Sequence, residues 1–247
     1  MPFCHYLWQT MGTYRTLTEA ETQDLGGRIL FEDNHLLVIN KRSGEIVQGD
    51  LTGDECLTDT YKAYIAARDG KPGRVFLGLP HRLDRPVCGI TVLAKTSKAL
   101  ERLSAMFRDG NVSKTYLALV CGIPASDEAL LENYLWRDGT RNKTFIAKSG
   151  TKDAKLARLK YRTAWKGERY ALLEVELLTG RHHQIRCQLA AIGHPIKGDL
   201  KYGAPRSNPD GGICLQSHRI RFPHPVGGAM TEITAPWPDG WKGIPRP

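Results

Sequence analysis

The sequence predicts an α+β protein, a single domain built on a mostly antiparallel mixed sheet flanked by helices. Three observations predict it. Between residues 128 and 178 the apolar segments are long and partly alternating, and turn pairs such as Asp138-Gly139 and Lys166-Gly167 separate them, as in antiparallel strands. Three other segments place apolar residues at helical spacing. Strand-like runs stand near both ends of the chain, with no linker, repeat or low-complexity tract between them, so 247 residues read as one domain.

Residues 1–27 show no clean period and read as an extension packed on the body, which occupies residues 28–247. Arg28–Phe31 and Leu36–Ile39 around the Asp33-Asn34 turn carry a hairpin signal, and Ser43-Gly44 turns the chain again. Leu57, Tyr61, Tyr64, Ile65 and Arg68 share one helical face, with Gly70 as a natural stop. Gly89–Lys95 is the next strand. Thr96 or Ser97 then caps a helix whose Leu100, Leu103 and Phe107 face one way and which Gly110 ends. Tyr116–Val120 is a strand. The segments Leu130–Trp136, Thr144–Ala147, Leu156–Trp165 and Tyr170–Leu178 follow as an antiparallel meander. A helix from about His182 to Ile192 aligns Ile185, Leu189 and Ile192, and Gly193 and Pro195 close it. Strands Ile213–Phe222 and Met230–Ala235 finish the chain.

Composition narrows the function classes. Hydrophobic residues make up 41% and charged residues 25%, an ordinary globular balance. The longest aliphatic run, Leu36–Ile39, is far shorter than the roughly 20 apolar residues of a membrane helix. Against 26 acidic side chains stand 35 Lys and Arg, a net charge of +9. The excess is uneven: residues 1–149 hold 19 basic and 18 acidic side chains, residues 150–247 hold 16 and 8. A basic half suits a polyanion. The six cysteines (Cys4, Cys56, Cys88, Cys121, Cys187 and Cys214) form no C-x-x-C pair, and Met1–His5 lacks the positive start of a signal peptide. A reduced, cytoplasmic protein is expected.

Chemistry concentrates in two segments. Residues 79–89, Leu-Pro-His-Arg-Leu-Asp-Arg-Pro-Val-Cys-Gly, pack His81, Arg82, Asp84 and Arg85 into a loop that Pro80 and Pro86 keep out of regular helix. The two arginines favour an ionised Asp84, available as a nucleophile. Residues 178–186, Leu-Thr-Gly-Arg-His-His-Gln-Ile-Arg, place Gly180, Arg181 and Arg186 about a helix start, which suits anions, and Arg186 sits near the edge of the buried face. His182 and His183 point about 100° apart on a helix and His194 lies about three turns on, so they share no metal. No phosphate-loop, dinucleotide or serine-hydrolase motif is present.

The run His81-Arg82-Leu83-Asp84 with Gly89, the segment Lys114-Thr115-Tyr116, the segment Gly180–Arg186, and the blocks Gly193–Ile196 and Gly198–Gly203 together resemble the RluA family of RNA pseudouridine synthases. The similarity runs from about Arg28 to Ala235 in one order. Val87-Cys88 stands where the family usually has Thr-Ser, and His182 where it has Thr. Only 27 residues precede the first strand, so the family's N-terminal S4 RNA-binding domain is expected to be absent.

The resemblance implies a pseudouridine-synthase-like catalytic domain acting on rRNA or tRNA as a monomer, without cofactor or metal. The target uridine leaves the stack. Asp84 would attack the sugar at C1′ or the uracil at C6, or assist a glycal route. Tyr116 would stack on the base and help remove the C5 proton. Arg186 would pair with Asp84, and Arg82 would fill the vacated space. His81, Arg85, Lys114, Arg181 and His183 are expected to contact RNA, with Ile185 or Leu189 as the pocket wall. A non-catalytic RNA-binding or assembly factor on the same fold is the rival reading, and a carboxylate in an RNA-facing cleft argues against it. A metal-dependent nuclease is disfavoured by the missing carboxylate cluster.

Overall fold

The structure, a computed structural model, describes residues 14–49, 54–71, 73–241 and 243–246. Residues 1–13 of the expected extension, Cys4 among them, lie outside the described residues. The rest of that extension contains a helix the period did not reveal, α1 (Glu19–Gly27). Its signal is a capping box. The Thr18 hydroxyl accepts from the Glu21 amide at 3.2 Å while the Glu21 carboxylate accepts from the Thr18 amide at 2.8 Å. Leu25 is its buried anchor, and the Leu25 carbonyl accepts from the Tyr61 hydroxyl.

Strands β1 (Ile29–Glu32) and β2 (Leu36–Lys41) form the expected hairpin, followed by α2 (Leu57–Arg68) and β3 (Cys88–Ala94). The run Leu36–Ile39 is apolar without a break because both faces of the sheet are covered here. Leu36 and Val38 pack with Ala99 and Leu103 of α3 (Ser97–Asp109), while Leu37 and Ile39 pack with Tyr61 and Ile65 of α2. Thr96 caps α3 through its hydroxyl and Gly110 closes it at a φ of 80°.

The strands β4 (Ser113–Cys121), β5 (Glu128–Asp138), β6 (Lys143–Ala147), β7 (Lys155–Lys166) and β8 (Tyr170–Leu177) lead to α4 (Gln184–Ala191). After it come β9 (Leu215–Pro223) and β10 (Met230–Thr234). The sheet order is β1-β2-β3-β9-β4-β8-β7-β5-β6, with β10 on β9. Among the named strands of the described residues, only β3 and β9 pair in parallel. A simple meander would place β6 between β5 and β7. Instead β7 pairs with β5 directly over Glu128–Leu135, and the short β6 takes the other edge of Tyr134–Asp138. Helix α4 also starts later than its spacing suggests, because His183 adopts a left-handed backbone and holds His182 outside the helix. Among the described residues no helix is long and apolar enough to cross a membrane.

Two contacts fix the chain around Asp84. Gly89 has a φ of +106°, and a Cβ there would lie 2.3 Å from the Ser217 carbonyl oxygen, so only glycine lets β3 pair this closely with β9 at this point. Lys41 is 1% exposed, and its ammonium donates to the carbonyls of Arg42 at 2.9 Å, Arg85 at 3.0 Å and Val87 at 2.6 Å. Burial lowers its pKa to about 8. The Ser43 hydroxyl adds a bond to the Pro86 carbonyl at 2.9 Å.

Gly89→Ala is expected to cost about 3 kcal/mol from clash and strain, lowering the thermal midpoint by about 5–10 °C. An unchanged midpoint would contradict the close-pairing constraint. Lys41→Met leaves three carbonyls without their donor and should speed hydrogen exchange at the Val87 amide, which closes the turn onto the Asp84 carbonyl. Exchange as slow as in the parent protein would show that the clamp does not hold this loop.

Candidate active site

The loop that Lys41 holds is anchored on its inner side by Leu83 and Val87, both buried in the cluster that includes β4 and α4. Their burial turns the Asp84 side chain, which is 29% exposed, toward α4. There Arg186 donates through Nη1 to Asp84 Oδ2 at 3.0 Å. The same guanidinium donates through Nε and Nη2 to the two oxygens of Asp199, at 2.7 and 2.9 Å. Asp199 is 1% exposed and Arg186 5%, so this is a bidentate pair removed from water. Burial disfavours the arginine's charge, but hydrogen bonding to Asp199 and the charges of both carboxylates prevail and raise its pKa. The Tyr202 ring lies 5.1 Å from the guanidinium carbon.

Tyr116 projects into the same cleft from β4. A shift in register between Thr115 and Tyr116 against β9 re-aims the strand at that position. Its ring is buried, and burial pushes the hydroxyl pKa up to about 12, so the group stays protonated at neutral pH. The cleft, of about 470 Å³, is floored by Asp84, Tyr116, Leu83, Val87, Ile185 and Leu215. Arg82, Arg108, Lys114, Arg137 and Arg181 add cationic groups to its walls. Around one carboxylate the cleft thus offers an aromatic face and a cationic rim, which suits a planar base on a phosphodiester chain.

The expected residues do not all converge. Asp84, Tyr116, Arg186 and Ile185 share the cleft, with Arg82, Lys114, Arg181, His81 and His183 in its wall. Arg85 does not point there. Its Nη1 meets Asp54 at 2.7 Å and its Nε the Gly44 carbonyl at 3.0 Å, so Arg186, not Arg85, is the cation on Asp84. Leu189 is fully buried in the core behind Ile185, one helical turn deeper, and forms no part of the wall.

Two of the wall histidines are engaged by protein. His81 stacks on Phe107 with centroids 4.4 Å apart, and its Nε2 accepts from the Val92 amide at 2.9 Å. Burial depresses its pKa to about 3. His183 is 8% exposed and its Nε2 lies 3.4 Å from Asp84 Oδ2. Asp199, Tyr202 and Arg137 belong to the site although no role was read for them in the sequence. Asp199 and Tyr202 fall within the Gly198–Gly203 block, where a buried acidic side chain has no local signature. Among the described residues no group of three or more His, Cys, Asp or Glu is placed to hold a metal.

The family described as RNA pseudouridylate synthase matches residues 35–191. An uncharacterized RNA pseudouridine synthase of Bacillus subtilis is 32% identical over 223 residues, covering 89% of this chain and 71% of that protein. The ribosomal large subunit pseudouridine synthase C of Vibrio parahaemolyticus is 33% identical, covering 86% of this chain and 66% of that protein. Its Escherichia coli O157:H7 namesake is 34% identical, covering 87% and 67%. The solved structure of human RNA pseudouridylate synthase domain containing 4 superposes with a TM-score of 0.74 at 24% identity, over 89% of this chain and 92% of that one, which shows the shared fold. On the family match and these relatives, the chain belongs to the RNA pseudouridine synthases, isomerases of uridine in RNA.

Proposed function

We propose that this protein isomerises a specific uridine in structured RNA, with Asp84 as nucleophile. The observation that carries the reading is a single carboxylate held by Arg186 opposite Tyr116, within a cationic cleft. The names of the Vibrio and Escherichia relatives favour ribosomal RNA of the large subunit, with transfer RNA as the other candidate.

The reaction balances within the substrate. The N1–C1′ bond breaks and a C5–C1′ bond forms, while C5 loses a proton and N1 gains one. A stacked base inside the duplex cannot reach Asp84, so the uridine is flipped. Arg82, exposed at the mouth of the cleft, is placed to occupy the gap through its planar guanidinium. Tyr116 provides the stacking face. With its hydroxyl held protonated, it serves better as a platform and donor than as a resting base for the C5 proton. Arg186 holds Asp84 in orientation, and Ile185 walls the base. The adjoining cations meet phosphates, and their contribution to binding weakens with salt.

Pseudouridines mapped by chemical labelling and primer extension, in cells with and without the protein, should differ at one or a few defined uridines. Asp84→Asn should lower the rate on that RNA by at least about 10³-fold while RNA affinity stays within about threefold. Turnover retained in Asp84→Asn would remove the nucleophile assignment. No lost site in any abundant RNA would favour a binding-only role.

A further inference from the structure

We propose that His183 is a positioning residue for Asp84: a neutral imidazole that directs Nε2–H at carboxylate Oδ2, accepts the Tyr202 hydroxyl proton at Nδ1, and leaves Oδ1 as the oxygen that meets the uridine. The proposal rests on the reading of Asp84 as nucleophile and assigns His183 a task other than contact with RNA.

The backbone supplies the first argument. His183 has a φ of 50° and a ψ of 26°, a left-handed conformation that costs a non-glycine residue roughly 1–2 kcal/mol. That conformation sets its ring between Asp84 and Tyr202, stacked on His182 at a centroid distance of 3.8 Å. The hydrogen bonds supply the second. The Tyr202 oxygen accepts from the Thr144 amide at 2.8 Å and lies 2.9 Å from His183 Nδ1, a bond whose direction the histidine tautomer sets. Donation from Nδ1 would leave the buried Tyr202 proton unplaced. It would also set a ring-nitrogen lone pair against the Asp84 oxygen 3.4 Å away. The arrangement that fits both partners is Thr144 N–H to Tyr202, Tyr202 O–H to Nδ1, and Nε2–H facing Asp84 Oδ2 across 3.4 Å, longer than the Arg186 bond to the same oxygen.

Charge supplies the third. Burial is the largest influence on His183, and Arg186, His182, Lys201 and Arg137 all oppose a further cation beside them, lowering its pKa to about 2. The ring therefore stays neutral although it faces the Asp84 carboxylate. A neutral donor orients that carboxylate without adding a second full positive charge, which would lower its basicity. Arg186 and His183 both address Oδ2, and no such contact engages Oδ1 among the described residues.

Nitrogen-15 NMR of protein labelled at histidine tests the tautomer without any substrate. His183 is expected as the Nε2–H form, unchanged from about pH 5 to 9, with its Nε2 signal shifted in Asp84→Ala. An Nδ1–H tautomer, or an imidazolium titrating in that range, overturns the proposal. Kinetics on the RNA identified by the mapping give the second arm. His183→Leu should lose about 100-fold in kcat with KM within about threefold, and His183→Gln, which restores an N–H at similar reach, should recover most of it. A raised KM at unchanged kcat would mean that His183 contacts RNA and would also overturn the proposal. If the parent protein forms no pseudouridine, the functional reading falls while the NMR result still decides the orientation of His183.

Discussion

A guanidinium out of water is costly unless anions meet most of its donors, and Arg186 is buried with two carboxylates around it. Asp199 takes two of its nitrogens and Asp84 the third. The bidentate bond to Asp199 is the anchor, since that carboxylate is almost wholly buried and has both oxygens engaged by Arg186. The contact to Asp84 is the exposed end of the same group. Removing one member of such a buried set typically costs about 3–5 kcal/mol, because the remaining charge is left uncompensated. The arrangement is therefore stiff, and it aims one donor at one oxygen in the cleft.

The fold brings distant segments to this point. Asp84 and Arg186 are 102 residues apart in sequence, and each is fixed by a different part of the sheet. On one side, the Lys41 ammonium gathers three carbonyls beneath the Asp84 loop, and the close pairing of Gly89 in β3 with Ser217 in β9 sets where that loop enters the sheet. On the other, α4 lies on the β4–β8 core and presents Ile185 and Arg186 at its first turn. The net charge of +9 is expressed locally as a rim of arginines and a lysine, while the floor beneath them carries the Asp84 carboxylate. The proposed function uses both: the rim meets a polyanion, and a base that leaves its stack meets the floor.

Much of this was legible in the sequence where local chemistry decides. The β1–β2 hairpin, the stops at Gly70 and Gly110, and the cap at Thr96 follow from short-range rules. Asp84, Tyr116 and Arg186 were found through co-ordered motifs. Tertiary context decided the rest. Leu189 shares a helical face with Ile185, but one turn carries it about 5.4 Å farther into the core. Arg85 neighbours Asp84 in sequence, yet the clamp on its carbonyl turns its side chain toward Asp54. Helix α1 shows only its capping box, since its apolar spacing is weak. The edge position of β6 depends on which strand β7 finds, a long-range pairing that no window of residues contains. Asp199 was visible as part of a motif but not as the partner of Arg186, because that pairing is made across a turn.

The central claim is that Asp199, Arg186 and Asp84 act as one unit, with Asp199 orienting the guanidinium that holds the proposed nucleophile. A double-mutant cycle tests it most directly, comparing single-turnover rates of Asp199→Asn, Arg186→Lys and the double variant on the RNA that the protein modifies. The account predicts strong non-additivity, the double variant being little slower than the worse single one, with a coupling of at least about 1 kcal/mol. Rate losses that simply multiply would show that the two residues act independently and would contradict it.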